Sequence, residues 1–136
     1  MMFAAVAMLA VACEKVVEPV VPESKLVGAW KAPLSSSDEM MQDLGGKNLV
    51  INADHTASFA FLSFNNWKIE GDVLTLTNYH GEGVARHVEV LRYTINNYTD
   101  TSMLLDGRYV YAVGDSVYRE GNFSGLYTRD KSYQPR

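Results

Sequence analysis

Turn-forming residues divide most of this chain, from residue 26 to residue 129, into short runs of β-type sequence. In the run from Val73 to Tyr79, Leu74 and Leu76 share one face, because a strand alternates its side chains between two faces. Pairs such as Gly71-Asp72 separate the runs, and such pairs are typical of tight β-hairpins. The pattern therefore predicts about eight or nine short antiparallel strands and an all-β fold.

The strand boundaries follow from the same signals. We expect one strand from Thr56 to Leu62, and turns at Asp106-Gly107 and at Glu120 to Asn122. Neither face of the longest run, Val84 to Asn96, is uniformly apolar, which indicates a strand with two environments along its length. Short strands joined by hairpins fit a closed barrel or a sandwich. We favour a small antiparallel up-and-down barrel, because closure removes the exposed edges.

One segment after the first strand departs from the β pattern. Ser36 and Glu39 have the spacing of a capping box, and Gly45 suits the left-handed position that follows a helix. Met40 and Leu44 lie four residues apart, so they share a helix face. The segment is predicted to form one short helix of about two turns.

The composition is that of a single β-rich domain. The chain has 136 residues, of which 11% are aromatic, and its formal net charge is -4; this length fits one domain. The weakly acidic balance contains no basic stripe, so we expect no nucleic-acid partner. The sequence also has no His-x-His or Cys-x-x-Cys spacing, and we expect neither a metal nor another cofactor.

The first twelve residues are uncharged and end in Leu9-Ala10-Val11-Ala12, directly before Cys13, the single cysteine. This run is too short to span a bilayer, which takes about 20 residues, but it fits the apolar region of a secretory signal. A small residue before one cysteine resembles the lipobox of bacterial lipoproteins, whose cysteine is lipidated and becomes the mature N-terminus. The alternative is a core strand or helix with a buried cysteine. We favour the lipoprotein, because a polar leader follows abruptly.

These features divide the chain into four parts. Residues 1–12 are predicted to be a lipoprotein signal peptide, and residues 13–24 the lipidated Cys13 with an extended, proline-containing tether. Residues 25–130 are predicted to be the barrel, and residues 131–136 a polar tail. The lipobox resemblance implies a membrane-anchored protein of the bacterial cell envelope, in the outer rather than the inner membrane.

The first predicted strand carries Gly28-Ala29-Trp30, which matches the Gly-x-Trp motif of lipocalins. In that family a basic residue on or after the last strand packs over the tryptophan. Arg129 occupies a fitting place at the end of the last predicted strand. A guanidinium on an indole face is a cation–π contact worth about 0.5–2 kcal/mol. The resemblance implies that Gly28, Trp30 and Arg129 close the barrel.

Two further segments extend the resemblance over residues 25–129. The turn from Asn52 to Thr56 and the hairpin from Trp67 to Leu76 follow the first strand, in an order similar to that of Bacteroidetes-type lipocalin-like lipoproteins. This resemblance implies a lipocalin-like barrel that binds a small hydrophobic or amphipathic ligand. The chain departs from typical lipocalins in its shorter length and its lack of the usual disulfide. A barrel of about eight strands can also be filled by side chains alone.

Catalysis is the function class that the sequence supports least. It contains no Gly-x-Ser-x-Gly nucleophile elbow and no glycine-rich phosphate loop. His87 and Glu89 share a strand face and form the one candidate pair for acid–base or metal chemistry. The other interpretation is a surface or barrel-mouth pair without chemistry. We therefore expect no enzyme activity.

Aromatic side chains are the stronger functional lead, because ligand pockets are mostly apolar. Either these rings line a ligand cavity, or they fill a dry core and the barrel is a non-catalytic protein-interaction module. In the second case, the Tyr- and Arg-rich stretch from Arg108 to Arg119 is a candidate partner surface. A barrel cavity of about 300 Å3 or more would favour ligand binding. The candidate lining residues are Phe59, Phe61, Trp67, Tyr93, Tyr109, Tyr111 and Tyr127.

Overall fold

The structure is a computed structural model that describes residues 18–34, 44–82 and 86–133. Within these ranges a one-turn helix precedes nine strands. The elements are α1 (Glu23–Leu26), β1 (Gly28–Lys31), β2 (Asn48–Ile51), β3 (Ala57–Phe59), β4 (Leu62–Phe64), β5 (Asn66–Glu70), β6 (Val73–His80), β7 (His87–Tyr98), β8 (Ser102–Val113) and β9 (Ser116–Arg129).

All nine strands form one antiparallel sheet, in the order β4-β3-β2-β1-β9-β8-β7-β6-β5. The first strand, β1, pairs with the last, β9, through Trp30 opposite Arg129 and Lys31 opposite Thr128. This pairing curls the sheet into a nearly closed barrel. The prediction of a small antiparallel barrel is confirmed.

The seam of the barrel lies between β4 and β5, the two end strands of the sheet. Trp67 on β5 holds this seam to the turn between β2 and β3. Its backbone N–H donates to the carbonyl oxygen of His55 (2.9 Å), and its Nε1–H donates to the carbonyl oxygen of Asn52 (2.8 Å). The imidazole of His55 also stacks on the indole, with 4.6 Å between ring centroids.

Trp30 fills one end of the barrel, which we call the closed end, and its side chain is fully buried. The guanidinium of Arg129 lies 4.0 Å from the centre of the indole, and the indole Nε1–H donates to the carbonyl oxygen of Leu26 (2.9 Å). Arg129 also donates to three backbone carbonyl oxygens, those of Lys25 (2.7 Å), Val27 (3.2 Å) and Asp100 (2.8 Å). One side chain therefore joins β9 to the leader, to the start of β1 and to the loop between β7 and β8.

Gly28 leaves the space that Arg129 occupies. A Cβ atom at this position would lie 2.9 Å from Nη1 of Arg129, and the φ angle of Gly28 is +135°. L-residues rarely adopt such a backbone conformation. Both the space and the backbone angle thus require glycine two residues before Trp30.

The end of the predicted tether packs against the barrel. The backbone N–H of Val20 donates to the carbonyl oxygen of Gly71 (2.8 Å), and Val21 is buried. The expectation of extended chain up to residue 24 is wrong at its end, because α1 begins at Glu23. The leader crosses the closed end because Val21 and Leu26 bury apolar surface there.

The single strand predicted from Thr56 to Leu62 is wrong. Ala60 has a φ angle of 55°, and the chain reverses there, so that Phe59 pairs with Leu62 in the hairpin of β3 and β4. Phe61 lies in this turn and is 63% exposed. The side chains of Leu62 and Phe64 therefore continue the core on a new strand.

The turns predicted at Asp106-Gly107 and at Glu120 to Asn122 are also wrong, because β8 and β9 run straight through them. Gly107 lies opposite Tyr93, and Gly121 lies opposite Tyr109. Both glycines therefore lie inside paired strands, opposite two buried tyrosines, and the chain does not change direction at either.

The remaining predicted segments lie mostly outside the described residues. Residues 35–43, which hold most of the helix predicted after β1, lie outside the described residues; Leu44, at the end of that predicted helix, is helical and fully buried. The predicted signal peptide, Cys13 and the last three residues of the tail also lie outside.

We expect Arg129→Ala to lower the free energy of unfolding by about 3 kcal/mol, because three carbonyl oxygens and the indole face lose their partner at once. Arg129→Lys should recover only part of this loss, since an ammonium cannot reproduce the planar fork of donors. Urea unfolding measures both variants. Arg92→Ala, at an exposed position on β7, is the control and should change stability by less than about 0.5 kcal/mol. Equal stability of Arg129→Ala and the control would contradict this role.

Candidate functional site

Most of the predicted lining residues lie in the packed core. Phe59, Trp67, Tyr93, Tyr109 and Tyr127 are each at most 3% exposed. Tyr111 is partly buried and packs against the edge of this core, whereas Phe61 is in a surface turn, so its assignment to the lining is wrong. Five of the seven aromatic side chains therefore fill the barrel.

The rings in the barrel interior contact one another directly. Tyr127 meets Phe59 edge-on with 6.0 Å between centroids, and it meets Tyr93 in the same manner at 5.6 Å. The hydroxyl groups of Tyr93 and Tyr127 form a buried hydrogen bond of 3.0 Å. Burial raises the pKa of both tyrosines well above the usual value near 10, because a phenolate would be poorly solvated there. This part of the interior is a neutral, packed core.

An open groove of about 1060 Å3 lies beside the barrel, along β1, β2 and the end of β9. Its lining includes Ala29, Val50 and Ser58, which form one row across β1, β2 and β3. This row faces away from the interior, because Trp30, Leu49 and Phe59, which alternate with it along the same strands, belong to the hydrophobic core. The groove is therefore an outer surface and differs from the internal ligand cavity that the aromatic residues suggested.

The inward face changes character where β6, β7, β8 and β9 extend beyond the shorter strands. On the part of this face nearer the end that holds Trp30, one cross-strand row consists of Leu76, Leu91, Tyr109 and Gly121. Two residues further along each strand, the corresponding row is Asn78, Glu89, Tyr111 and Arg119. The next row begins with His80 opposite His87. Side chains two residues apart on a strand share a face. The apolar row and the two polar rows therefore lie on the same inward face, and the polar rows are farther from Trp30.

We call the inward surface at the end of the barrel opposite Trp30 the polar shelf; it consists of His80, His87, Glu89, Tyr109, Tyr111 and Arg119. His87 Nδ1 is hydrogen-bonded to the hydroxyl of Tyr111 (2.7 Å). The two imidazoles, of His80 and His87, stack with 4.7 Å between centroids and an angle of 7°. The ring of Tyr118, which is 68% exposed, stands nearly perpendicular to that of Tyr111, at 88°.

Tyr109 marks the boundary between the core and the polar shelf. Its ring is buried, and its hydroxyl donates a hydrogen bond to Oε2 of Glu89. Burial and then this hydrogen bond to Glu89 raise the pKa of Tyr109, because both favour the protonated phenol. The phenol thereby holds one oxygen of the carboxylate in place at the edge of the core.

His87 and Glu89, which were predicted to act as a pair, each belong to a different hydrogen-bonded pair in the structure. Each is hydrogen-bonded to a tyrosine of β8, His87 to Tyr111 and Glu89 to Tyr109. The pair does share the inward face, as its spacing indicated. Its tyrosine partners and Arg119 were not assigned to this site from sequence, since the register of β8 and β9 against β7 sets these contacts.

Chemically, the shelf combines ring faces with hydrogen-bonding groups of both kinds. Imidazole and phenol groups can donate or accept, the carboxylate accepts, and the guanidinium of Arg119 donates. In the described ranges, no group of three His, Cys, Asp or Glu side chains is placed to hold a metal ion. The arrangement is suited to reversible binding of a small polar molecule with a flat face.

The chain was compared with known proteins in three ways. A scan of protein-family models, a search of curated proteins and a search of solved structures each returned no match. Within the described part of the chain, no helix has the length and apolar character needed to cross a membrane.

We expect the free energy of unfolding to fall as pH rises above about 10. Tyr93, Tyr109 and Tyr127 have raised pKa values in the folded state, so the unfolded chain loses these protons first. Their contribution is complete below the ordinary tyrosine pKa and is lost above it, by up to about 1.4 kcal/mol per pH unit for each group. Urea unfolding at several alkaline pH values measures this slope.

The double variant Tyr93→Phe with Tyr127→Phe removes two of the three groups and should flatten the slope. Because the double variant removes both hydroxyl groups of one buried hydrogen bond, neither is left without its partner from that pair. If the slope of the variant equals that of the wild-type protein, these tyrosines are not the source of the alkaline instability.

Proposed function

We propose that this protein is a non-catalytic, lipocalin-like lipoprotein of the bacterial cell envelope that binds a small amphipathic ligand. In this proposal the ligand lies on the polar shelf and not among the apolar rings below it. The supporting observation is the change along the inward face from buried core to accessible polar and aromatic groups. Partly buried His87, Glu89 and Tyr111 provide the transition between these two regions.

The filled interior supports a ligand position on the polar shelf. Displacing the rings of Tyr93 and Tyr127 would break their buried hydrogen bond and their edge-on contacts. A large apolar ligand would therefore have to disrupt packing that stabilises the fold. A ligand on the shelf requires no such rearrangement, because His80 and Arg119 are already exposed.

The position of the leader supports a membrane-anchored arrangement. The described chain starts at Glu18 and crosses the closed end, where Val20 contacts Gly71. The shelf lies at the other end of β7, and eleven residue steps from Tyr98 to His87 span about 36 Å. A lipid on Cys13 would thus hold the closed end nearer the membrane and leave the shelf facing away from it.

A protein-interaction module is the second candidate function, and an apolar strip on the outer face of the sheet favours it. The strip is one cross-strand row of Tyr79, Val88, Ala112 and Val117. Tyr79 is 52% exposed and Val117 is 55% exposed. Exposed apolar residues in a contiguous row are typical of interaction surfaces. In this function the filled barrel supports the outer face of the strands.

We expect a small molecule to co-purify with the full chain and to be lost in shelf variants. Native mass spectrometry of the detergent-solubilised protein, before and after organic extraction, should show a discrete adduct that extraction releases. His87→Ala and Arg119→Ala should each reduce its occupancy by about tenfold or more, since charge-assisted and buried hydrogen bonds are lost.

Two controls separate the candidate functions. Arg92→Ala, on the outer side of the strand that carries His87, should keep the adduct. Val117→Asp places a charge in the apolar strip; it should leave the adduct unchanged and would disrupt a protein partner instead. A bare protein mass together with no uptake from a panel of small amphipathic molecules would reject ligand binding on the shelf.

We expect Cys13→Ser to abolish lipid attachment. The wild-type protein should incorporate a labelled fatty acid in a lipoprotein-processing bacterium and should enter the detergent phase on phase separation. The variant should do neither, because a serine lacks the thiol that forms the thioether to the lipid. Lipid label that persists in the variant would contradict an anchor at this residue.

A further inference from the structure

The polar shelf places opposite charges on the two sides of a tyrosine. Glu89 on β7 and Arg119 on β9 both pair with Tyr111 on β8, so the three residues form one row. Neighbouring strands lie about 4.8 Å apart, which puts the Cα atoms of Glu89 and Arg119 about 10 Å from each other. A molecule lying across Tyr111 therefore has a carboxylate on one side and a guanidinium on the other.

This pair of charges disfavours an ionic ligand. An anion near Arg119 would also approach the carboxylate of Glu89, and a cation near Glu89 would approach the guanidinium. In either case a like charge offsets part of the attraction, which is a means of specificity against ions. A neutral hydroxyl avoids this conflict, because it can donate to a carboxylate and accept from a guanidinium.

The ring faces around the row add a second requirement. The stacked imidazoles of His80 and His87 lie on one side of Tyr111, and Tyr118 stands nearly perpendicular to its ring. Such amphipathic rings bury flat apolar surface while their polar atoms remain available for hydrogen bonds. The preferred ligand thus has a flat C–H face and hydroxyl groups around its edge.

We propose that the polar shelf binds a neutral saccharide, with one pyranose ring lying across Tyr111 between Glu89 and Arg119. This inference rests on the proposed function, since it names the ligand class for the same surface. A pyranose ring has both required features, namely C–H faces and a rim of hydroxyl groups. Each hydroxyl can donate one hydrogen bond and accept others, which matches the mixture of groups on the shelf.

Two of the groups that would recognise the sugar, Glu89 and Tyr111, are already held in place. The hydroxyl of Tyr109 binds one oxygen of Glu89, and a carboxylate has about four acceptor sites in all. The hydroxyl of Tyr111 is held by Nδ1 of His87. Side chains that are fixed before binding lose less conformational entropy when the ligand arrives.

The test uses the full chain in lauryldimethylamine oxide, a detergent without a sugar headgroup, and isothermal titration calorimetry. The neutral probes are maltotetraose, cellotetraose and tetra-N-acetylchitotetraose. Benzoate and benzamidine are ring-containing probes of opposite charge, and a fatty-acid panel represents apolar ligands. We expect at least one neutral tetrasaccharide to bind with a dissociation constant of about 1 mM or tighter, and both ionic probes to bind more weakly.

Two variants test the charge argument directly. Arg119→Ala should weaken saccharide binding by about tenfold or more, since a charged donor is lost. Glu89→Gln keeps an acceptor for Tyr109 but removes the charge, so it should weaken saccharide binding and strengthen benzoate binding. Arg92→Ala, on the outer face of the same strand as Glu89, is the matched control and should bind as the wild-type protein does. Equal thermal midpoints establish that each variant is folded.

The possible results separate this inference from the proposed function. Binding of a fatty acid or an ionic probe that the shelf variants abolish, with no saccharide binding, would reject the sugar and retain the shelf as a ligand site. Saccharide binding that no shelf variant changes would overturn the inference, because the sugar would then bind elsewhere. Failure of every probe to bind would reject both.

Discussion

The barrel depends on the contact between Arg129 and Trp30, because the described pairing of the first and last strands covers only two residue pairs. Two pairs supply few backbone hydrogen bonds, so side chains must complete the closure. Arg129 does this by stacking on Trp30 while binding three carbonyl oxygens from different segments. Burial of the indole excludes water from the same junction, which strengthens these hydrogen bonds.

This closure at one end leaves the long strands free to extend at the other. β7, β8 and β9 are each at least twelve residues long, whereas β1 to β4 have three or four. Along the long strands the inward face is apolar beside the short strands and polar above them. Polar side chains are tolerated there because they remain partly solvated. The change in composition along β7, from Leu91 to Glu89, follows from this difference in strand length.

The sequence predicted the features that depend on local pattern. Alternation and turn pairs indicated a barrel of about eight or nine strands, and the resemblance of Gly28-Ala29-Trp30 to the Gly-x-Trp motif of lipocalins implied the closing motif. The predictions made from the sequence were wrong where tertiary packing overrides a local signal. Gly107 follows an aspartate, which is a typical turn pair, yet it lies opposite the buried ring of Tyr93. Conversely, nothing in the local sequence marks Ala60 as the point where the chain reverses.

The candidate site could be predicted only in part, for a related reason. A single strand shows that His87 and Glu89 share a face, but not which residues lie beside them. Tyr111 and Arg119 enter the row only when the register of three strands is known. The break in alternation along β7 was the available signal, since it marked the level at which the strand leaves the core.

The packing of the core and the composition of the shelf are set by the same register. Gly121 lies opposite the buried Tyr109, and Arg119, two residues away, is therefore placed opposite Tyr111. A slip of β9 by one residue would turn each of its side chains to the other face of the sheet. It would direct the charged Glu120 inward, beside the buried ring of Tyr109. Stability therefore selects the arrangement in which Glu89, Tyr111 and Arg119 form a row, and the polar shelf is a consequence of how the barrel is filled.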